Sequence, residues 1–272
     1  MPLYQAIVLA IVQAVTEFLP ISSTAHLILV PWLLKWQHAG LTFDVALHAG
    51  TLVAVLVYFR REWLAMCGTV IGRPPSDPTL GCDRRMLIYL VLATIPGGLA
   101  GIFLEDIIEN VLRTPLVIGV ALIVVAVLMG VGEKLSRHLR TFPEVTLRDA
   151  LVIGVAQAIA LIPGVSRSGI TMTAGLLLGL TRTTAARFSF LLSAPVIAGA
   201  ALVKGWQVWQ TGLPAEMVLP FVVGIAVAAC AAYLVIAWLL KYLATNTFRI
   251  FIVYRLALGV LVLALGWGLR HV

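Results

Sequence analysis

The fold is decided by a polar stretch near the start of the sequence, Glu17-Phe-Leu-Pro-Ile-Ser-Ser-Thr-Ala-His26. It separates the apolar run 2–19, in which Glu17 is the only charged residue, from a second apolar run, 25–34, of ten residues. A membrane-spanning helix needs about 20 residues, with about 17 as the lower limit. The run 25–34 is therefore too short to cross a bilayer, and we predict that residues 2–34 form a re-entrant helical hairpin.

A second polar stretch, Pro163-Gly-Val-Ser-Arg-Ser-Gly-Ile-Thr171, is built in the same way. The apolar run that follows it, 169–180, is again too short to span a membrane. We therefore predict a second re-entrant hairpin at 150–180. Residues 11–23 resemble residues 155–166, so the two hairpins are interpreted as copies of one element.

Six further apolar runs are long enough to be membrane spans. They are 43–59, 86–104 and 115–132 after the first hairpin, and 186–203, 216–240 and 249–269 after the second. Each repeat, 1–132 and 150–272, thus holds one hairpin and three spans. Because three is odd, the second repeat must lie inverted in the membrane. The prediction for 1–272 is a single integral membrane domain, all-α, with six transmembrane helices and two re-entrant hairpins as an inverted-topology repeat.

The composition supports a polytopic membrane protein. Hydrophobic residues make up 61% of the chain and charged residues 11%, against about 25% charged in an average soluble domain. The mean hydropathy of +1.04 excludes a soluble enzyme, a disordered chain and a nucleic-acid-binding domain, despite the net charge of +7. Most of the 19 Lys and Arg residues fall in loops on one side, such as the polar loop 60–85. The positive-inside rule places that side in the cytoplasm and both termini outside, with membrane lipids as partners.

Glu17 is costly where it stands. A carboxylate at the bilayer centre costs about 2.5–3.5 kcal/mol on insertion scales, and the end of a half-helix disfavours an anion. A compensating cation is therefore expected. Gln13 lies one turn earlier, and the two side chains offer oxygen ligands suited to Mg²⁺ or Ca²⁺. The alternatives are that Glu17 pairs with an arginine or is protonated.

The three hydroxyls that follow Glu17 have two interpretations. Ser22, Ser23 and Thr24 could simply cap the short helix, but a helix N-terminus with free N–H groups is also an anion site. His26 lies in the first turn of that helix. It is either a structural histidine or, beside Ser23 and Glu17, a general acid or base.

Arg167, in the second polar stretch, has apolar runs on both sides and is a functional-site candidate by position. It sits at a helix N-terminus, which disfavours a cation unless an anion is present. With the hydroxyls of Ser166 and Ser168 it points to phosphate. The alternative is an Arg167–Glu17 salt bridge with no ligand. Together the two stretches offer what phosphoryl transfer needs, and a substrate that arrives from the bilayer would be a phosphorylated lipid.

The two polar stretches resemble the signature motifs of the undecaprenyl-diphosphate phosphatase family, the bacitracin-resistance proteins, and the resemblance covers essentially the whole chain. It implies hydrolysis of undecaprenyl diphosphate to undecaprenyl phosphate and inorganic phosphate. This reaction recycles the lipid carrier for bacterial cell-wall synthesis and confers bacitracin resistance. The resemblance also implies a divalent cation, the bacterial inner membrane, and six spans with two hairpins.

Site residues carry over position by position. The matching positions are Gln13 and Glu17 in an acidic motif, Ser22, Ser23, Thr24 and His26 in a serine–histidine motif, and Ser166, Arg167, Ser168 and Thr171 in an arginine motif. Two positions depart from the pattern: Gln13 stands where many members have Glu, and Ala25 where Gly is common. The resemblance implies catalytic roles for Ser23, His26, Glu17 and Arg167, metal binding by Glu17 and Gln13, and substrate binding by the others. Either Ser23 or a water molecule is the nucleophile.

Three ionisable residues outside the two motifs also have expected roles. Asp44 is expected to be a helix N-cap or a further polar group in the site, and His48 a hydrogen-bonding residue inside the bundle. Arg255, near the end of the last span, is expected to snorkel. A polyprenyl-phosphate transporter or flippase is the competing function, because inverted repeats with broken helices are typical of transporters. A homodimer is left open.

Overall fold

The computed structural model describes residues 1–37, 40–73 and 80–266, and within these ranges the protein is helical, with one isolated β-bridge between Arg140 and Leu180. Eleven α-helices lie there. They are α1 (Leu3–Phe18), α2 (Ser23–Leu33), α3 (Leu41–Tyr58), α4 (Arg60–Val70), α5 (Arg84–Asn110), α6 (Pro115–Leu135), α7 (Leu147–Ile159), α8 (Arg167–Leu177), α9 (Arg182–Thr211), α10 (Ala215–Leu243) and α11 (Arg249–Leu265).

Four of the described helices are long and apolar enough to cross a membrane: α5, α6, α9 and α10. Helices α3 and α4 pass the same criterion together as a pair bent by 73°, which gives up to five. The prediction of an all-helical multi-pass membrane protein is thus confirmed. The sixth predicted span, 249–269, begins with α11, and its last residues lie outside the described ranges.

The composition of residues 60–85 indicates a polar loop, but the structure shows that this segment is partly helical. Its first part forms α4, which buries Ala65 and Met66 beside α5. Cys82 is buried in the same region. The composition of this charged stretch does not reveal that it contains a helix with a short apolar face.

Each predicted hairpin is a helix–turn–helix pair, α1 with α2 and α7 with α8, and each turn ends at a serine of positive φ. Ser22 has φ 78° and Ser166 has φ 70°, a backbone region that non-glycine residues rarely adopt. Each serine caps the next helix: Ser22 Oγ accepts from the Ala25 N–H and Ser166 Oγ from the Gly169 N–H, at 3.5 and 3.2 Å. The two turns are copies of one backbone device.

This geometry corrects the predicted alignment of the two hairpins. The sequence comparison had paired Ser23 with Ser166, but the shared conformation pairs Ser22 with Ser166. Ser23 and Arg167 therefore occupy equivalent places, each as the first residue of its helix. The one-residue slip arose because the two proline positions, 20 and 163, do not correspond exactly in the two turns.

Small residues let the helices approach closely. A Cβ added to Gly154 of α7 would lie 2.5 Å from the carbonyl oxygen of Ala93 in α5. A Cβ at Gly50 of α3 would meet the backbone of α10 at Ile225. Close contact of this kind is the usual means of packing helices in lipid, where apolar side chains gain little by leaving the surroundings.

Gly154→Ala should destabilise the protein, because the added methyl group forces α5 and α7 apart. Overpacking costs about 1–3 kcal/mol. We expect a lower midpoint of thermal unfolding in detergent. Gly98→Ala is the matched control, since a Cβ at Gly98 of α5 meets nothing within 4 Å. Equal midpoints for the two variants would contradict the packing argument.

Candidate active site between the two turns

A cavity of about 220 Å³ lies between the two turns and is closed at the side by α3 and α9. Seven polar residues line it: Glu17, Ser22, Ser23, Thr24, His48, Ser166 and Arg167. Six of them belong to the two polar stretches of the sequence. The two polar stretches of the sequence therefore meet at one cavity.

Glu17 is the central group of this cavity. Its carboxylate accepts a hydrogen bond from Arg167 Nη2 to Oε1 at 2.8 Å, and one from Ser23 Oγ to Oε2, also at 2.8 Å. Its side chain is buried, with 6% of its surface exposed, and that of Arg167 is 13% exposed. One carboxylate thus joins a hydroxyl of the first turn to a guanidinium of the second.

His48 completes this polar group from α3. Its Nε2 lies 3.4 Å from Glu17 Oε2, and its Nδ1 lies 2.8 Å from the carbonyl oxygen of Asp44. Sequence reasoning assigned His48 to the bundle interior and missed its place in the cavity. The signal was available, because His48 is an ionisable residue within the apolar run 43–59. The N-cap expectation for Asp44 was wrong: Gly40 is the N-cap of α3, and Asp44 lies in its first turn.

Arg167 is held from a second side by α9, through a hydrogen bond from Nη1 to the carbonyl oxygen of Ser189 at 3.0 Å. Thr171 Oγ1 lies 2.7 Å from Ser189 Oγ, and Ser168 Oγ donates to the carbonyl oxygen of Leu19 at 3.1 Å. Thr171 and Ser168 are fully buried and do not line the cavity. The structure therefore places these two predicted substrate-binding residues behind the cavity wall, where they fix α8 against α9 and the first turn.

His26 also lies apart from the cavity. Its Nδ1 is 2.7 Å from the carbonyl oxygen of Ser22, and its Nε2 is 2.6 Å from Tyr254 Oη. The imidazole stacks on the Tyr254 ring and faces a different cavity, of about 450 Å³, between α1, α10 and α11. The structure thus does not bring His26 beside Ser23 and Glu17.

Arg255 of α11 does not snorkel, and that prediction was wrong. Its side chain is fully buried. It donates to the carbonyl oxygen of Pro20 in the first turn at 3.2 Å, and to those of Gly164 and Val165 in the second at 3.0 Å each. Further bonds run to the α6 carbonyls of Ala121 and Leu122. One guanidinium therefore fixes the two turns to each other.

The N-termini of α2 and α8 both lie at the cavity. The backbone N–H groups of Ser23 and Thr24 in α2, and of Arg167 and Ser168 in α8, have no acceptor in the described part of the chain. Free N–H groups and the positive end of the helix dipole favour an anion there. Of these four residues, Ser23, Thr24 and Arg167 line the cavity, and their N–H groups are donors available to the oxygen atoms of a phosphate.

Gln13 and Glu17 could together take part in holding a divalent cation. Gln13 is fully buried, its Nε2 lies 3.3 Å from Glu17 Oε2, and its Oε1 has no partner among the described residues. Turning the amide over would put two oxygens side by side, as for two ligands of one cation. No group of three or more His, Cys, Asp and Glu residues that could hold a metal occurs in the described ranges.

The fold and the cavity define a class: a polytopic α-helical membrane protein with a charged, hydroxyl-lined cavity between two helix–turn–helix pairs. Residues 6–261 match the family model described as bacitracin resistance protein BacA, and the chain belongs to that family. It is 48% identical to an undecaprenyl-diphosphatase of Pelotomaculum thermopropionicum over 266 residues, 98% of this chain and 97% of the relative. It is 49% identical to one of Gemmatimonas aurantiaca over 267 residues, 97% and 98% of the two chains.

Arg255→Met should destabilise the protein, because it removes the donor to carbonyls of both turns. A buried acceptor left unpaired costs about 1–3 kcal/mol. We expect a clearly lower midpoint of thermal unfolding in detergent. Arg249→Met is the control, since Arg249 is exposed in the first turn of the same helix. If both variants unfold like the wild type, Arg255 does not hold the turns together.

Proposed function

We propose that this protein is an integral membrane phosphatase. It hydrolyses undecaprenyl diphosphate to undecaprenyl phosphate and inorganic phosphate, which recycles the lipid carrier for cell-wall synthesis and gives resistance to bacitracin. The observation that carries the proposal is the Glu17 carboxylate, which is hydrogen-bonded to both Ser23 and Arg167 beside two helix N-termini. The names of the relatives support the choice of lipid, since the cavity itself indicates only a phosphate ester or anhydride.

The terminal phosphate binds between the N-termini of α2 and α8. Arg167 neutralises its charge, and Ser166 and the free N–H groups add hydrogen bonds. Ser22 and Thr24 line the same side of the cavity as Ser23. The predicted substrate-binding roles of Ser168 and Thr171 become indirect, because both fix the position of α8.

The reaction begins at Ser23, whose hydroxyl already donates to Glu17 at 2.8 Å. Glu17 takes the proton as Ser23 Oγ bonds to the terminal phosphorus, and the bond to the bridging oxygen breaks, which releases undecaprenyl phosphate. Water then attacks the phosphoserine and releases inorganic phosphate. In the alternative route, water attacks directly and Ser23 only donates a hydrogen bond.

Glu17 is a better candidate than His26 for the proton acceptor. The two ring nitrogens of His26 are engaged with Ser22 and Tyr254, whereas Glu17 contacts the hydroxyl itself. In this proposal His26 supports the Ser22 carbonyl and so the shape of the first turn. His48 stabilises the Glu17 carboxylate from the other side.

Mg²⁺ or Ca²⁺ is proposed as cofactor, held by Glu17 and, after its amide turns over, by Gln13. When bound, the cation would neutralise charge on the diphosphate oxygens. The unpaired Gln13 Oε1 supports this assignment.

Six spans and two re-entrant hairpins in inverted repeats are the proposed membrane arrangement. Tyr4, at the start of the first hairpin, contacts the ring of Trp36 just after its end, with centroids 5.6 Å apart. Asp149, at the start of the second, pairs with Arg140, which also donates to the carbonyl oxygen of Leu178 at 3.2 Å. These contacts between the two ends of each helix pair support a path in which each hairpin returns to the side where it began. The proposed location is the bacterial inner membrane, with both termini outside.

Arg167→Ala and Glu17→Ala should each lower phosphate release from undecaprenyl diphosphate by at least about 100-fold, the usual loss when charge stabilisation is removed. Release by the purified protein in detergent measures this, with Arg249→Ala as the folded control. Near-normal rates for Arg167→Ala would contradict the phosphate clamp. A folded wild type that binds the lipid without releasing phosphate would favour a transporter.

Ser23→Ala should abolish turnover, whereas Ser22→Ala, which removes a helix cap but no nucleophile, should be milder. Single-turnover reactions with labelled substrate should trap a phosphoserine on Ser23, detected by mass spectrometry. An active Ser23→Ala variant, or no trapped adduct under these conditions, would favour direct attack by water.

EDTA should abolish phosphate release, and added Mg²⁺ or Ca²⁺ should restore it. Gln13→Glu should then lower the cation concentration needed for half-maximal rate, because a second carboxylate replaces a neutral ligand. Gln13→Leu should raise it. The measurement is phosphate release against metal concentration, and three superimposable curves would remove Gln13 from the metal site.

A further inference from the structure

A second cavity, larger than the one at the turns, lies between α2, α6 and α11. Its volume is about 650 Å³, within the range of about 300–1,000 Å³ typical of ligand sites. Leu29, Ile118 and Val262 form part of its apolar wall. We call this cavity the α2 cleft; it shares no lining residue with the cavity at the turns.

Two cations, Lys35 and Arg113, also line the α2 cleft. Neither takes part in an ion pair or a side-chain hydrogen bond with any residue that the structure describes. Other arginines of the chain are paired where a carboxylate is near, as Arg182 is with Glu133 and Arg187 with Glu62. The α2 cleft thus joins an apolar wall to two positive charges that have no ion-pair partner among the described residues.

This combination indicates the chemistry of the ligand. An apolar wall accepts a hydrocarbon chain, and Lys and Arg together recognise a phosphate through charge-assisted hydrogen bonds. Trp32 and Trp36 line the same cleft, and tryptophan is typical of the level of lipid headgroups. A molecule with a phosphate head and an apolar chain satisfies all three features.

We propose that the α2 cleft binds an anionic phospholipid of the membrane. Its phosphate lies between Lys35 and Arg113, and one acyl chain lies against Leu29 and Ile118. Because α2 also carries Ser23 at its other end, the bound lipid stabilises the helix that presents the nucleophile. Lipid binding itself is independent of the proposed function; the effect on turnover rests on it.

The test measures lipid binding by native mass spectrometry of the full-length protein with phosphatidylglycerol or phosphatidylcholine. The wild type should retain phosphatidylglycerol preferentially. The double variant Lys35→Gln/Arg113→Gln should lose at least tenfold in affinity for it. Lys204→Gln/Arg249→Gln removes the same charge elsewhere, from two cations that likewise form no ion pair with a described residue, and should bind as the wild type does. Thermal unfolding checks that both double variants are folded.

Equal retention of the two lipids by the wild type, or equal loss in the two double variants, would overturn the proposal. Displacement of phosphatidylglycerol by equimolar undecaprenyl phosphate in Arg167→Ala protein would overturn it too, because the occupant would then be the carrier lipid. Phosphate release in phosphatidylglycerol nanodiscs should exceed release in phosphatidylcholine nanodiscs for the wild type but not for Lys35→Gln/Arg113→Gln. If no lipid supports release while selective binding persists, the proposed function fails and the lipid site stands.

Discussion

The site depends on how the carbonyl groups of two turns are satisfied away from water. Buried backbone that leaves a helix must find hydrogen-bond partners inside the protein. Arg255 supplies them for both turns at once, with bonds to Pro20 on one side and to Gly164 and Val165 on the other. The planar guanidinium holds its donors in a fixed fork, so it sets the spacing of the turns as well as their hydrogen bonding.

The ion pair between Glu17 and Arg167 joins the same two turns that Arg255 holds in place. A buried ion pair adds little net stability, because desolvation offsets most of the attraction. In the proposed mechanism a phosphate competes with Glu17 for Arg167. When Arg167 turns to the phosphate, the Glu17 carboxylate keeps its contacts with Ser23, Gln13 and His48. Substrate binding thereby frees the Glu17 carboxylate to accept the proton of the Ser23 hydroxyl. His48 Nε2, at 3.4 Å from Glu17 Oε2, stays beside the carboxylate throughout.

The sequence predicted the parts of this arrangement that follow from energetic cost. Glu17 and Arg167 each stand where a lone charge is expensive, so the chain had to bring them together, and the short apolar runs showed where the helices break. The parts it did not predict depend on which face of a helix packs inward. The pattern therefore predicts a snorkelling Arg255 where the structure has a buried one, and it does not show that His48 lines the cavity. It also leaves two roles open for His26, which the structure turns toward Tyr254.

The positive φ of Ser22 and Ser166 places the bend of each turn at the serine and leaves the next residue to supply the reactive side chain. Each serine sets the bend and caps the helix through its own backbone and hydroxyl, so the residue after it does neither. Two identical turns would place the same side chain on both sides of the cavity, either two hydroxyls or two guanidinium groups. The complementarity of Ser23 and Arg167 thus exists because the copies differ at one position beside a common bend. A substitution at the residue after the serine could therefore change the chemistry of the site while the backbone of the turn stays the same.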